Sequence, residues 1–106
     1  ILDASREAGT FVQGRDRSDL DRNRMLQLAL IRLIEVIGEA AGRVSDDTRN
    51  QISSVPWPLV IAMRNRLIHG YFDVDVDRVW DTVVNDLPAL IAAIETYLAG
   101  ERQEPR

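Results

Sequence analysis

No cysteine and no lysine occur in this sequence. The first absence removes disulfide frameworks, thiolate metal sites and cysteine nucleophiles. The second leaves all 13 basic residues as arginines. High genomic GC content explains that blandly, yet arginine is also the residue whose planar fork fits a phosphate. Aromatic residues make up only 6% against a hydrophobic share of 45%. The apolar content is therefore aliphatic and alanine-rich, which favours helix packing over a β-sandwich. No apolar run approaches the roughly 20 residues that span a bilayer, so no membrane association is expected. A net charge of −4 excludes a broad phosphate-binding platform, because such domains are usually basic. Any nucleic-acid site must be local. The start, Ile1-Leu2-Asp3-Ala4-Ser5-Arg6, carries no secretory pattern. It also lacks Met and opens inside an apolar-periodic segment, so residues are expected to precede it. The expected compartment is the cytoplasm.

A chain of 106 residues suits one domain over 1–106 and buries roughly two-thirds of its unfolded surface. Residues 1–13 read as an amphipathic helix punctuated by Gly14. A long helix over 19–44 carries Leu26, Leu30, Leu33, Ile37, Ala41 and Val44 at steps of three and four. A second apolar set, Met25, Leu28, Ile31 and Ile34, leaves that helix with more apolar surface than one core uses. Gly38 and Gly42 share a face that permits close helix approach. Ser45-Asp46-Asp47 reads as the cap of a short helix to about Ile52. Pro56 and Pro58 start a helix to about His69, which Gly70 is suited to end. Asp75 is a plausible N-cap for a last helix over 76–98, which Pro88 should kink or divide. A polar tail closes the chain at 101–106. No stretch alternates with period two, so the expectation is all-α: an up-and-down bundle of four main helices plus a short one, without a sheet.

The chemistry lies in Arg64-Asn65-Arg66-Leu67-Ile68-His69-Gly70-Tyr71. On a continuous helix, Arg64 falls inside the apolar arc of Val60, Ile61, Leu67 and Ile68. A guanidinium there must be paired or open onto a polar cleft. Asn65 and His69, four apart, would share another face, where Asn65 could orient the imidazole. Arg64 and His69 would stand about 140° apart, which favours a composite site built by two copies across a twofold axis. His69 is the single histidine, so no metal site and no cofactor is expected. Histidine suits proton transfer near neutrality, and arginine suits the charge of a phosphoryl transition state. A lone histidine near a helix end is more often a structural cap, and Tyr71 is more often a half-buried loop aromatic; spacing alone does not carry the catalytic reading. Glu35 and Glu39 could line the cleft near Arg64 or stand solvated, and the solvated reading is slightly preferred.

The segment resembles the Arg-x4-His-x-Tyr signature of HepT-like toxins in the HEPN superfamily (higher eukaryotes and prokaryotes nucleotide-binding domains). The resemblance spans nearly the whole chain. Ile37-Gly38-Glu39-Ala40-Ala41 resembles the family's long-helix motif, and Pro56-Trp57 the start of its motif helix. Val79-Trp80-Asp81-Thr82-Val83 and Asn85-Asp86-Leu87-Pro88 resemble its final helix. The resemblance implies a homodimer whose two motifs face one cleft and a metal-independent endoribonuclease acting on RNA. Arg64 and His69 would be its catalytic residues, with Asn65 supporting. It further implies a type VII-like toxin–antitoxin pair in which a cognate minimal nucleotidyltransferase antitoxin transfers AMP to Tyr71. The alternative is a non-catalytic nucleotide- or partner-binding helical module of the same superfamily.

Overall fold

A computed structural model describes residues 1–69 and 73–103, with the backbone alone at 68, 69, 73 and 101–103. The helices are α1 (Leu2–Val12), α2 (Arg17–Asp21), α3 (Arg24–Gly42), α4 (Asp46–Gln51), α5 (Trp57–Ile61), α6 (Val76–Asp81) and α7 (Leu87–Gln103). The all-α class holds. None of these helices is long and apolar enough to cross a membrane, among the described residues.

Local chemistry explains most of the boundaries. Gly14 follows α1 with φ at +76°, a conformation that costs glycine little. The expected helix over 19–44 is instead two helices. Asn23 takes an extended backbone and its side chain accepts from the Leu26 N–H at 3.0 Å, starting α3 afresh. The buried Gln27 amide donates back to the Leu20 carbonyl at 2.9 Å, satisfying the end of α2. Ser45 and Asp75 cap α4 and α6 as expected, accepting from Thr48 and Arg78. Arg49 donates to the Ala41 and Gly42 carbonyls at 3.1 and 3.3 Å and so closes the C-terminus of α3. The Trp57 indole N–H donates to the Ile52 carbonyl at 3.2 Å, which fastens α4 to α5.

The helix expected over 76–98, kinked or divided at Pro88, is α6 and α7 with an irregular turn just before the proline. Thr82–Asp86 forms a wider π turn between α6 and α7, and the Leu87 N–H donates to the Thr82 carbonyl five residues back. A proline removes one i→i−4 donor and crowds the preceding turn. The wider turn makes room for the ring while the chain stays helical.

One core joins the elements. Leu20, Leu30, Ile34, Ile37, Leu67, Val79, Val83 and Leu87 are almost fully buried, each worth about 1.5–3 kcal/mol in transfer terms. Helix α1 packs on α3 and α7, and α5 packs on α3. Met25 and Leu28 differ from Ile31 and Ile34: the first two are exposed at 82% and 50%, the other two belong to the core. The glycine pair also separates. A Cβ at Gly38 would stand 3.1 Å from the Ile61 carbonyl oxygen, whereas one at Gly42 would meet nothing within 4 Å. Gly38 thus serves the α3–α5 contact within the chain, not a paired face with Gly42.

The largest departure concerns the segment expected to be helical to His69. Helix α5 ends at Ile61, a 3₁₀ turn spans Met63–Arg66, and Ile68–His69 forms a two-residue strand, β1. It pairs antiparallel with β2 (Asp73–Val74), Ile68 opposite Val74 and His69 opposite Asp73. The Asp75 N–H donates to the Leu67 carbonyl at 2.6 Å. That carbonyl is thereby taken by a ladder from the next element and not by a helical successor. A short hairpin therefore exists where no sheet was expected.

Candidate active site

The motif residues begin on the 3₁₀ turn after α5. Pro56 and Pro58 bracket Trp57 at its start, and the Asn65 N–H donates to the Ala62 carbonyl at 3.0 Å, the tight i→i−3 pattern. Three residues per turn place Met63 and Arg66 on one side and turn Arg64 to another. Met63 is buried, while Arg64, Asn65 and Arg66 are exposed. The helical-wheel placement of Arg64 in an apolar arc does not hold, because the chain is not α-helical there.

Arg64 is nonetheless anchored. Its Nε lies 3.0 Å from Glu35 Oε2 on α3, with side-chain exposures of 52% and 26%. The contact is made at the Nε edge of the guanidinium. A planar guanidinium held along one edge can still fork onto a phosphate through another. The solvated reading of Glu35 is therefore corrected. Glu39 fits that reading better: it is exposed and approaches Arg32 only at 3.9 Å. A signal for Glu35 was present in the sequence. It lies three residues before Gly38, at neighbouring positions on the helix, and Gly38 brings α5 close.

The Asn65–His69 relation changes as well. Four residues apart on an α-helix would align them, but a 3₁₀ turn followed by an extended strand does not. Only the backbone of His69 is described: it lies in β1 opposite Asp73. Tyr71, the expected acceptor of AMP, lies outside the described residues. The structure thus brings Arg64 and Glu35 together and sets His69 on the ladder that follows their turn. Among the described residues, no three histidine, aspartate or glutamate side chains gather as a metal ion would need.

A cleft of about 420 Å³ lies beside the same turn. Val60, Met63, Arg66, Asn85, Asp86 and Leu90 are among the residues that line it, so it joins the motif segment to the π turn and α7.

The family model described as "Ribonuclease HepT-like" matches residues 1–97. The protein named "Putative RNase MJ1380" from Methanocaldococcus jannaschii is 34% identical over 95 residues, covering 90% of this chain and 87% of that protein. "Putative RNase TTE0752" from Caldanaerobacter subterraneus is 33% identical over 91 residues, covering 86% of this chain and 81% of that protein. "Probable ribonuclease HepT" from Thermococcus cleftensis is 42% identical over 69 residues, covering 65% and 63% respectively. No solved structure gives a significant match.

Proposed function

This chain belongs to the HepT-like ribonuclease family, and we propose that it is the RNA-cleaving toxin of a type VII-like toxin–antitoxin pair. The observation that carries the site assignment is Arg64, held by Glu35 along its Nε edge on an exposed turn five residues before the single histidine. Arg64 binds the scissile phosphate and neutralises the charge that builds on its oxygens. His69 moves the proton. The ribose 2′-oxygen attacks the adjacent phosphorus, its proton passes to the base, and the bond from phosphorus to the 5′-oxygen breaks. The 5′-oxygen takes a proton as it leaves. The products are a 2′,3′-cyclic phosphate and a 5′-hydroxyl, and no metal ion is required. Asn65 supports the site from the same turn.

The active form is a homodimer with two motifs facing one cleft. Exposed Met25 and Leu28, three positions apart on α3, support that reading as apolar neighbours on one helix face. The radius of gyration, 14.7 Å, also exceeds the roughly 13 Å of a compact domain this size. The protein acts in the cytoplasm, on RNA. Its partner is a minimal nucleotidyltransferase antitoxin that transfers AMP to Tyr71, which adds bulk and negative charge two residues from His69.

The test is cleavage of single-stranded RNA by purified wild type and His69→Ala in the presence of EDTA. Wild type should cut and leave a cyclic phosphate. The variant should lose about 10²–10⁴ in rate while its circular dichroism is unchanged. A folded His69→Ala protein that cuts at the wild-type rate would end the assignment.

A further inference from the structure

Resting on the ribonuclease reading, we propose that the cleft between the 3₁₀ turn and the π turn is a nucleobase subsite that selects guanine next to the scissile phosphate. The cleft, about 420 Å³, falls in the size range of small-ligand pockets and has room for a base with part of its ribose. Its floor is apolar, with Val60, Met63 and Leu90 buried, as the flat faces of a base require. Its exposed polar lining is Ser54, Arg66, Asn85 and Asp86, beside exposed Leu59 and Ala89.

The rim chemistry chooses the base. Arg66 and Asp86 line one cleft, yet among the described residues they form no ion pair with each other or with any third group. Both are thus open to a ligand. Asn85 is tied back, its amide donating to Asp81 at 3.4 Å. A carboxylate beside an RNA path repels phosphate, so Asp86 is useful only toward hydrogen-bond donors on a base edge. Guanine presents two adjacent donors, N1–H and the 2-amino group, which match a carboxylate's two oxygens. Its O6 and N7 are acceptors that match arginine. Adenine, cytosine and uracil lack that double donor.

The backbone places this rim beside the reaction. Arg66 shares the four-residue 3₁₀ turn with Arg64, where the rise is about 2 Å per residue. Arg64 turns to α3 and Arg66 to the cleft, so one turn serves a phosphate and its neighbouring base together. On the other wall, Asn85 and Asp86 end the π turn. A wider turn shifts helical register and re-aims the residues that leave it, and such turns recur at functional sites.

The experiment separates this subsite from cleavage. Binding of wild type to 2′-O-methyl RNA trimers that differ only in the central base is measured calorimetrically; these trimers have no attacking hydroxyl. The guanine trimer should bind about tenfold tighter or more than the other three. Asp86→Asn should erase that preference, and Ala89→Leu, a larger side chain at a residue that also lines the cleft, should weaken binding of the guanine trimer; circular dichroism confirms that both variants fold. Equal affinity for all four trimers would overturn the proposal, as would a preference that Asp86→Asn leaves intact. Unmodified RNA is assayed for cleavage in parallel. RNA left uncut with the guanine preference present would refute the nuclease reading and support the subsite. RNA cut with base-blind binding would do the reverse.

Discussion

Arg64 reaches from the 3₁₀ turn after α5 to Glu35 on α3, Nε to Oε2 at 3.0 Å, and that contact links the motif segment to α3. Its value for stability is small, about 0–1 kcal/mol, because both groups are partly solvated. Its value for chemistry lies in orientation. The ion pair holds the Nε edge of the guanidinium, and in the proposed mechanism this orients it toward a phosphate. Glu35→Ala should therefore lower kcat about tenfold and, by removing a negative charge, lower KM for RNA at low salt. Tm should barely move. Arg64→Lys keeps the charge but loses the fork and should be impaired more than Glu35→Ala. Steady-state kinetics on one RNA substrate checks both, and identical constants for Glu35→Ala and wild type would exclude a positioning role.

The two helix glycines of α3 should respond in opposite directions to alanine. Gly42 has open space around it, so Gly42→Ala should raise Tm slightly, by helix propensity worth up to about 1 kcal/mol. At Gly38 the new methyl meets the Ile61 carbonyl oxygen at 3.1 Å, and a backbone atom cannot rotate away. Helix α5 must shift and carry the motif turn with it. The expected outcome is a net loss on the order of 1 kcal/mol, about 4–8 °C in Tm, with cleavage falling further than stability. Thermal melts and rates measured below the transition separate the two effects.

Assembly should depend on Met25 and Leu28. Light scattering of wild type at micromolar concentration should give about twice the 12.0 kDa chain mass. Leu28→Glu places a charge on a half-exposed position of α3, so it should leave the fold intact, yield a monomer and abolish cleavage. A monomeric Leu28→Glu that cuts RNA as well as wild type would show that each chain carries a complete site.

Neutralisation should depend on Tyr71. Incubation with the proposed minimal nucleotidyltransferase antitoxin and ATP should add the mass of AMP to wild type and not to Tyr71→Phe, read by intact-mass spectrometry. Growth inhibition by Tyr71→Phe should then resist the antitoxin. Equal labelling of the two proteins would place the acceptor elsewhere.

Helical class, most helix positions and the caps at Ser45 and Asp75 were legible in the sequence, because each follows from local periodicity or from one side chain beside one backbone group. The segment that carries the chemistry was legible as composition only. Residues 62–69 have an apolar pattern compatible with an α-helix, and nothing local forbids one. What replaces the helix after the 3₁₀ turn is pairing between neighbouring backbone segments that no side-chain pattern announces: the Asp75 N–H takes the Leu67 carbonyl, and Ile68–His69 finds a partner in Asp73–Val74. Longer separations hid Glu35, 29 positions from Arg64 in the chain, and the role of Gly38 against Ile61. Pro88 announced a disturbance, yet whether the helix would break or widen depended on burying Val83 within the turn and Leu87 just after it. The sequence determined which residues could do chemistry and which faces were apolar. The tertiary structure decided where Arg64 points, what holds it and that His69 follows on a strand, because those outcomes rest on backbone and charge partners that meet only when the chain closes on itself.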